Sequence, residues 1–487
     1  VLEVAKKEFV ENVLSWRFLI ALVLATLVLT TSVIALSSVY KDDQQQYLRS
    51  QGSTNQNIFF GGTDFFQVAA QVDRVLGKPV PLSIFAGGPG TQLRRDTANS
   101  DHGLPKPPGG DQVASTGQSP PMDLRFPPLD FGFVVGVVMS FMAILFSYDS
   151  ISGERERGTL KIMLANPLPK DSVLFGKYLG GMASLLLPLA IALGVALVAL
   201  RFTGVAFSTD DWVRLGFIVL LAVPLISVFY LLGLLVSSLA RRSSVSLLAL
   251  TLVWLVLVFG AGNAAAVAAK GVSPALSPGE IEARQAALDE QQFNEQSSIQ
   301  DQLFSLFQAK SQSGNLTPEQ QAALTRLQGE RQALQEKYDG LRANLSDAAR
   351  AQLDTQLDVA ETIAAISPSE SYRDLATSLA QSDYWTYRDA VEAANAYQKQ
   401  EDAVYQQWLK DHPSANTGGA VEITAGGVAR QNGTGPQWTA DPYHYAAASA
   451  GADLASSRGE RDLAILLGTN LALFVAAYAA ILRYDVR

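Results

Sequence analysis

The sequence predicts an all-α membrane protein with six transmembrane helices. A large, mainly helical, partly coiled-coil extracytoplasmic insert is expected between helices 5 and 6, and a smaller irregular one between helices 1 and 2. Three observations carry that prediction. Charged residues fill only 17% of the 487 positions and mean hydropathy is positive, whereas soluble domains carry about 25% charge. Six runs of about 18 to 26 residues contain no acid or base, the length needed to cross about 30 Å of hydrocarbon. The acidity is gathered in one place: of a net charge of −9, the segment from Lys270 to Asp462 holds roughly 27 acidic against 15 basic side chains, leaving the rest slightly basic.

At the start of the chain, Val4 (or Leu2), Phe9, Val13 and Trp16 share one helical face beside Lys6, Lys7 and Arg17. Residues 1–17 therefore read as an interfacial helix with Trp16 at the headgroups. The uncharged run 18–40 is long enough to span and lacks the small-residue cleavage site of a leader, so it reads as the first transmembrane helix. Residues 41–128 are polar. Within them 57–86 carries Ile58-Phe59-Phe60 and Phe65-Phe66 and can fold against something, whereas Gly87-Gly88-Pro89-Gly90 onward to Pro105-Lys106-Pro107-Pro108-Gly109-Gly110 cannot bury a core.

Five further spans are expected at 129–148, 178–201, 213–240, 244–269 and 462–483, with Pro188 and Pro224 kinking two of them. Lysines and arginines of the short flanks gather in the N-terminus, the 149–177 loop, Arg241-Arg242, and Arg483 with Arg487. By the positive-inside rule this set and both termini are cytoplasmic, and 41–128, the turn at 207–212 and 270–461 are extracytoplasmic.

The long insert shows three helix-start signals: Ser277-Pro278-Gly279-Glu280, Thr317-Pro318-Glu319-Gln320 and Ser367-Pro368-Ser369-Glu370. Each offers a hydroxyl at the N-cap, proline at the first helical position and Glu or Gln three residues after the cap, which satisfies otherwise orphaned N–H groups. In the second helix Leu327, Leu334, Leu341 and Ala348 repeat every seven residues, with Leu324, Tyr338 and Leu345 between them, as a packing seam requires. Tyr387, Val391, Ala394, Tyr397, Val404 and Trp408 mark one face of a fourth helix, and 415–441 is a Gly- and Thr-rich loop.

Several function classes fall away on composition. With no cysteine, a disulfide framework, a thiol nucleophile and cysteine-ligated metals are excluded, and His102, His412 and His444 lie too far apart for a metal site. An acidic, Gln-rich segment does not displace counterions from phosphates, so nucleic-acid binding is excluded. Gly87-Gly88-Pro89-Gly90 is followed by no Lys-Ser/Thr, so the chain has no phosphate loop, and neither Gly-x-Ser-x-Gly nor His-Glu-x-x-His occurs. The uncharged runs argue against a proton- or sodium-coupled carrier, which keeps charged groups within the membrane. Their polar residues, among them Thr469 and Asn470, read as helix-to-helix hydrogen bonders.

What remains is the charge-dense loop between two apolar runs. Glu154-Arg155-Glu156-Arg157-Gly158-Thr159-Leu160 precedes Ile162-Met163-Leu164 and Asn166-Pro167-Leu168-Pro169, an amphipathic helix broken by prolines. Continued into Lys170-Asp171-Ser172-Val173-Leu174-Phe175-Gly176-Lys177-Tyr178, this pattern resembles the first cytoplasmic loop of ABC-transporter permeases of the type-2 membrane-domain superfamily. Lys6-Lys7-Glu8-Phe9 ahead of the first span, and Ser367-Pro368-Ser369-Glu370-Ser371-Tyr372 before Leu379-Ala380-Gln381-Ser382-Asp383, resemble the branch with large extracytoplasmic loops.

The resemblance implies a non-catalytic permease subunit of an exporter in a bacterial or archaeal cytoplasmic membrane. Glu154, Arg155, Glu156, Arg157, Gly158 and Thr159 would contact a separate ATP-binding subunit, which holds ATP and magnesium, so no cofactor is expected on this chain. Two permease chains, a homodimer or a pair of close paralogues, would pair around the path. A second reading is a mechanotransmitter whose extracytoplasmic helices act on an envelope protein partner without moving a substrate.

Overall fold

Helix-forming residues continue past the apolar runs at most span ends, and the helices follow them. The computed structural model describes residues 1–58, 76–98, 129–158, 170–313, 317–411, 422–424, 427–429 and 448–482. The expectations for 59–75, for 99–128, for 159–169, for most of 415–441 and for Arg483 and Arg487 lie outside the described residues, whereas the irregular stretch expected from Gly87 onward opens instead with a helix at Pro89–Ala98.

Helix α1 (Leu2–Val13) turns at Leu14 and Ser15 into α2 (Trp16–Ile58), which outruns its apolar stretch because Lys41 and the glutamines Gln44-Gln45-Gln46 are good helix formers that outweigh Asp42-Asp43. A 3-10 turn (Pro81–Ile84) leads to α3 (Pro89–Ala98). Helix α4 is built from Phe131–Phe133, a π segment Val134–Met139 and Ser140–Ser147, and the short α5 (Ser152–Glu156) follows. Then come α6 (Lys170–Thr203), α7 (Thr209–Leu239) and α8, composed of Ser243–Leu255, a π segment Val256–Gly260 and Ala261–Val272. Helices α9 (Pro278–Ser313), α10 (Pro318–Ala364), α11 (Pro368–Leu379) and α12 (Tyr384–Asp411) fill the long insert. A small antiparallel hairpin pairs β1 (Glu422–Thr424) with β2 (Gly427–Ala429), and α13 (Ala450–Leu454) and α14 (Ser457–Leu482) end the described chain. Among the described residues six helices are long and apolar enough to cross a membrane: α2, α4 with α5, α6, α7, α8 and α14.

The described residues divide into two compact units, one formed by those within Val1–Pro105, Phe126–Gly262 and Ala364–Arg487, the other by those within Asn263–Ile363. In the first, α7 is central: 67% of its apolar window is buried against 11% for α14, and Ile218, Leu225, Ile226, Phe229 and Tyr230 lie in the core. Asn470 of α14 donates to the carbonyl of Pro224 at 2.8 Å, the interhelical use its amide predicts.

At the Thr209 end of α7, Arg214 is 1% exposed and bonded to Asp210 and Asp453 at 2.6 Å each, to the Leu379 carbonyl at 3.1 Å and to the Ala448 carbonyl. It thereby caps the C-terminus of α11. The N-terminus of α11 departs from its start signal, since Ser367 makes no side-chain cap. Its hydroxyl instead donates to the Leu257 carbonyl at 2.6 Å, joined by Ser369 at 3.0 Å, because that carbonyl lies in the widened π turn of α8.

The two inserts meet within this unit. A Cβ on Gly88 would come within 2.5 Å of the Ser382 carbonyl, one on Gly90 would strike Asp383, and Ser382 donates to the Ala86 carbonyl at 2.6 Å. Asp130, the N-cap of α4, accepts from Phe133 N–H and Gly87 N–H at 2.8 Å each.

In the second unit α9 and α10 pair antiparallel. Lys337 and Tyr338 meet Glu295 at 2.9 Å, and Arg342 meets Asp289 at 2.7 Å. The Ser277 and Thr317 caps form as expected, each with its Glu280 or Gln320 reaching back at 2.8 and 2.9 Å. The seven-residue seam of α10 forms only in part: Leu327 and Tyr338 are buried, but Leu341 is 39% exposed, Ala348 is exposed, and Ala349 and Gln356 are buried in their place. In a straight helix a seven-residue step drifts about 20° one way and an eleven-residue step about 20° the other, so the heptad positions and the buried positions diverge along α10.

Candidate functional site

The loop after α4 is folded against the bundle by groups from five helices. Two of its backbone donors, Ile151 and Ser152 N–H, give hydrogen bonds to Ser237 Oγ of α7 at 3.1 and 3.0 Å, so α7 supplies the N-terminal cap that α5 lacks. Gly233, one turn earlier on α7, leaves the room that Ser147 occupies. Asp149 pairs with Arg17 of α2 through both oxygens at 3.0 and 2.8 Å, and Arg17 also reaches the Leu145 carbonyl at 2.9 Å and Tyr148 Oη at 3.0 Å.

Each charge of the Glu154 to Arg157 run has its own partner. Glu154 accepts from Lys177 of α6 at 2.9 Å, and the same ammonium donates to Glu8 of α1 at 3.1 Å. Lys177 is 4% exposed. Arg155 donates to the carbonyls of Ser238 and Ala240 at 3.0 Å each, where α7 ends. Glu156 accepts from Ser243 N–H at 3.1 Å and from its hydroxyl at 2.7 Å, where α8 begins. Arg157 is exposed and donates back to the Gly153 carbonyl at 3.2 Å. Gly158 has φ of +73°, the left-handed turn that stops a helix and that favours glycine.

Helix α1 is fixed by the same junction. Gly176 and Gly180 of α6 form a small-residue groove: a Cβ on Gly176 would lie 2.6 Å from Val4 Cβ, and one on Gly180 would strike the Ala5 carbonyl and lie 2.8 Å from Glu8 Cβ. The helix read as lying on the membrane interface is thus seated across α6, with Trp16 72% exposed beyond it.

Of the six residues singled out in the sequence, Glu154 and Arg155 turn inward onto the bundle. Glu156, Arg157 and Gly158 are exposed, and Thr159 lies outside the described residues. The sequence reading missed Glu8, Lys177, Arg17, Ser237 and Ser243. Gly176-x-x-x-Gly180 was the available signal for a helix seated beside Lys177. Among the described residues no group of three or more histidines, aspartates or glutamates could hold a metal ion.

Comparison with known proteins agrees with this architecture. A family model described as ABC-2 family transporter protein matches residues 2–486. The chain is 37% identical over 79 residues to the probable ABC transporter permease protein NosY of Pseudomonas aeruginosa, which is 16% of this chain and 28% of that protein. It is 41% identical over 63 residues to the protein of the same name from Stutzerimonas stutzeri, 13% of this chain and 22% of that one. The chain thus spans about a quarter of the length of these relatives.

Proposed function

The chain belongs to the ABC-2 family of transporter proteins as a multi-pass membrane permease subunit, and we propose that it works as an exporter. In that role two copies pair, and each is driven through its 149–177 loop by a separate ATP-binding subunit on the cytoplasmic side of the cell membrane. The supporting observation is the loop helix itself. Its inward side is committed to the bundle through Glu154, Arg155 and Ser152, while Arg157 and Gly158 face away and leave a short charged edge for a partner. Exposed charges of this kind set register and rate more than affinity, as a contact remade in every cycle requires.

Co-purification with the co-expressed ATP-binding subunit tests the reading. The wild type should retain that subunit, and Arg157→Glu should reduce its retention at least tenfold without lowering the thermal midpoint. A wild-type chain that retains no ATP-binding subunit would overturn the proposal.

The mechanotransmitter reading has its own support. Helix α10, 47 residues long and so about 70 Å at 1.5 Å per residue, leads within three residues into α11, which is bonded to α7 and α8 through Arg214 and Ser367. Removing residues 282–350 and bridging the gap while keeping α11 separates the two: export that survives excludes mechanotransmission.

A further inference from the structure

Arg155 and Glu156 are neighbours in sequence, yet they serve the two opposite kinds of helix end. The last carbonyls of a helix are orphaned and electronegative, and its first N–H groups are orphaned and electropositive. The cation Arg155 takes two carbonyls at the end of α7, and the anion Glu156 takes both donors of Ser243 at the start of α8. Only Ala240, Arg241 and Arg242 separate those two helices. Arg242, at the N-cap position of α8, contributes no side-chain cap of its own. Ser237 completes the exchange, since α7 caps α5 while α5 caps α7.

We propose that Arg155 and Glu156 are positioning residues that make the α7–α8 turn move with α5, so that work delivered to the loop enters the bundle through these paired helix ends. The inference rests on the coupling role proposed above and gives these two residues a task distinct from touching the ATP-binding subunit.

Capping and coupling can be separated by giving α8 a cap of its own. The chain has no cysteine, so a single Val245→Cys on α8 carries an environment-sensitive fluorophore. The complex with the ATP-binding subunit, in lipid nanodiscs, is read for an ATP-dependent emission change. Glu156→Ala should lower the thermal midpoint and cut that change at least threefold, with the ATP-binding subunit still bound. Adding Arg242→Ser, which supplies a serine N-cap, should restore the midpoint and leave the emission change lost, and Arg155→Gln should reproduce the loss.

Recovery of the emission change with the new cap would make Glu156 only a cap and overturn the proposal. So would an unchanged response in Arg155→Gln, or loss of the ATP-binding subunit from Glu156→Ala. A wild-type chain that retains no ATP-binding subunit overturns the coupling role and this inference together, whereas failure of the variants alone overturns only the inference.

Discussion

Lys177 shows how one side chain can commit three helices to a fixed arrangement. An ammonium at 4% exposure is tolerable only with its partners in place, and it has one from α1 and one from α5. Removing the central member of a buried ion cluster leaves charges uncompensated and costs about 3–5 kcal/mol. Lys177→Met should therefore lower the thermal midpoint strongly and expose the α1 segment to limited proteolysis. Glu8→Gln should do less, because Glu154 remains. Unchanged digestion of α1 in Lys177→Met would show that the glycine groove alone holds it.

At Asp130 burial dominates and pushes the carboxyl up to about 6, although Gly87 and Phe133 N–H groups and the Arg373 charge favour its ionised form. Here the folded state keeps a proton that the unfolded chain has already released, so stability falls as pH rises from about 4 to about 6 and is level above. The contribution of this one group is about 3 kcal/mol. Asp130→Asn should flatten the midpoint-against-pH curve in that window relative to wild type. Burial also raises Glu370, Asp383 and Asp453, so a residual slope of the same sign should persist. Neither Lys177 nor Arg214 was given a partner by the sequence reading, because each stands at the edge of an uncharged run, where hydropathy alone leaves a charge to water.

Among the elements, α10 separates what periodicity specifies from what it leaves open. Its start at Thr317-Pro318 and its pairing with another helix were legible, because capping and amphipathicity are local. The buried face was not, since Leu341 and Tyr338 both fit a repeat and only the partner's path selects one. Tyr338 is 1% exposed and bonded to Glu295, whereas Leu341 faces outward. Tyr338→Ala should destabilise the hairpin more than Leu341→Ala, because it removes the more covered side chain and its bond to Glu295. Leu341→Ala should cost less than about 1 kcal/mol. Urea titration of the hairpin, followed by a tryptophan introduced at Phe293, would reverse the assignment if the order were opposite. The start of α11 carries the same lesson, because a serine that looks like a cap is taken by a carbonyl more than a hundred residues away.

For the molecule as a whole, hydropathy was sufficient to find six membrane-spanning candidates, since solvation by lipid acts on each segment separately. Contacts between distant segments were illegible. Nothing local to Gly87-Gly88-Pro89-Gly90 reveals Ser382, and nothing local to Arg214 reveals Asp453.

The glycine contact has a consequence in time. Ala86 and Ser382 stand 296 residues apart, and synthesis at about 5–20 residues per second separates their appearance by about 15–60 s. The segment around α3 therefore waits, after its own helix is made, until α11 and Ser382 after it have left the ribosome. Closing the two inserts onto each other is a late step of biogenesis, and a nascent chain truncated before residue 382 should present Gly88 and Gly90 uncovered to quality-control proteases.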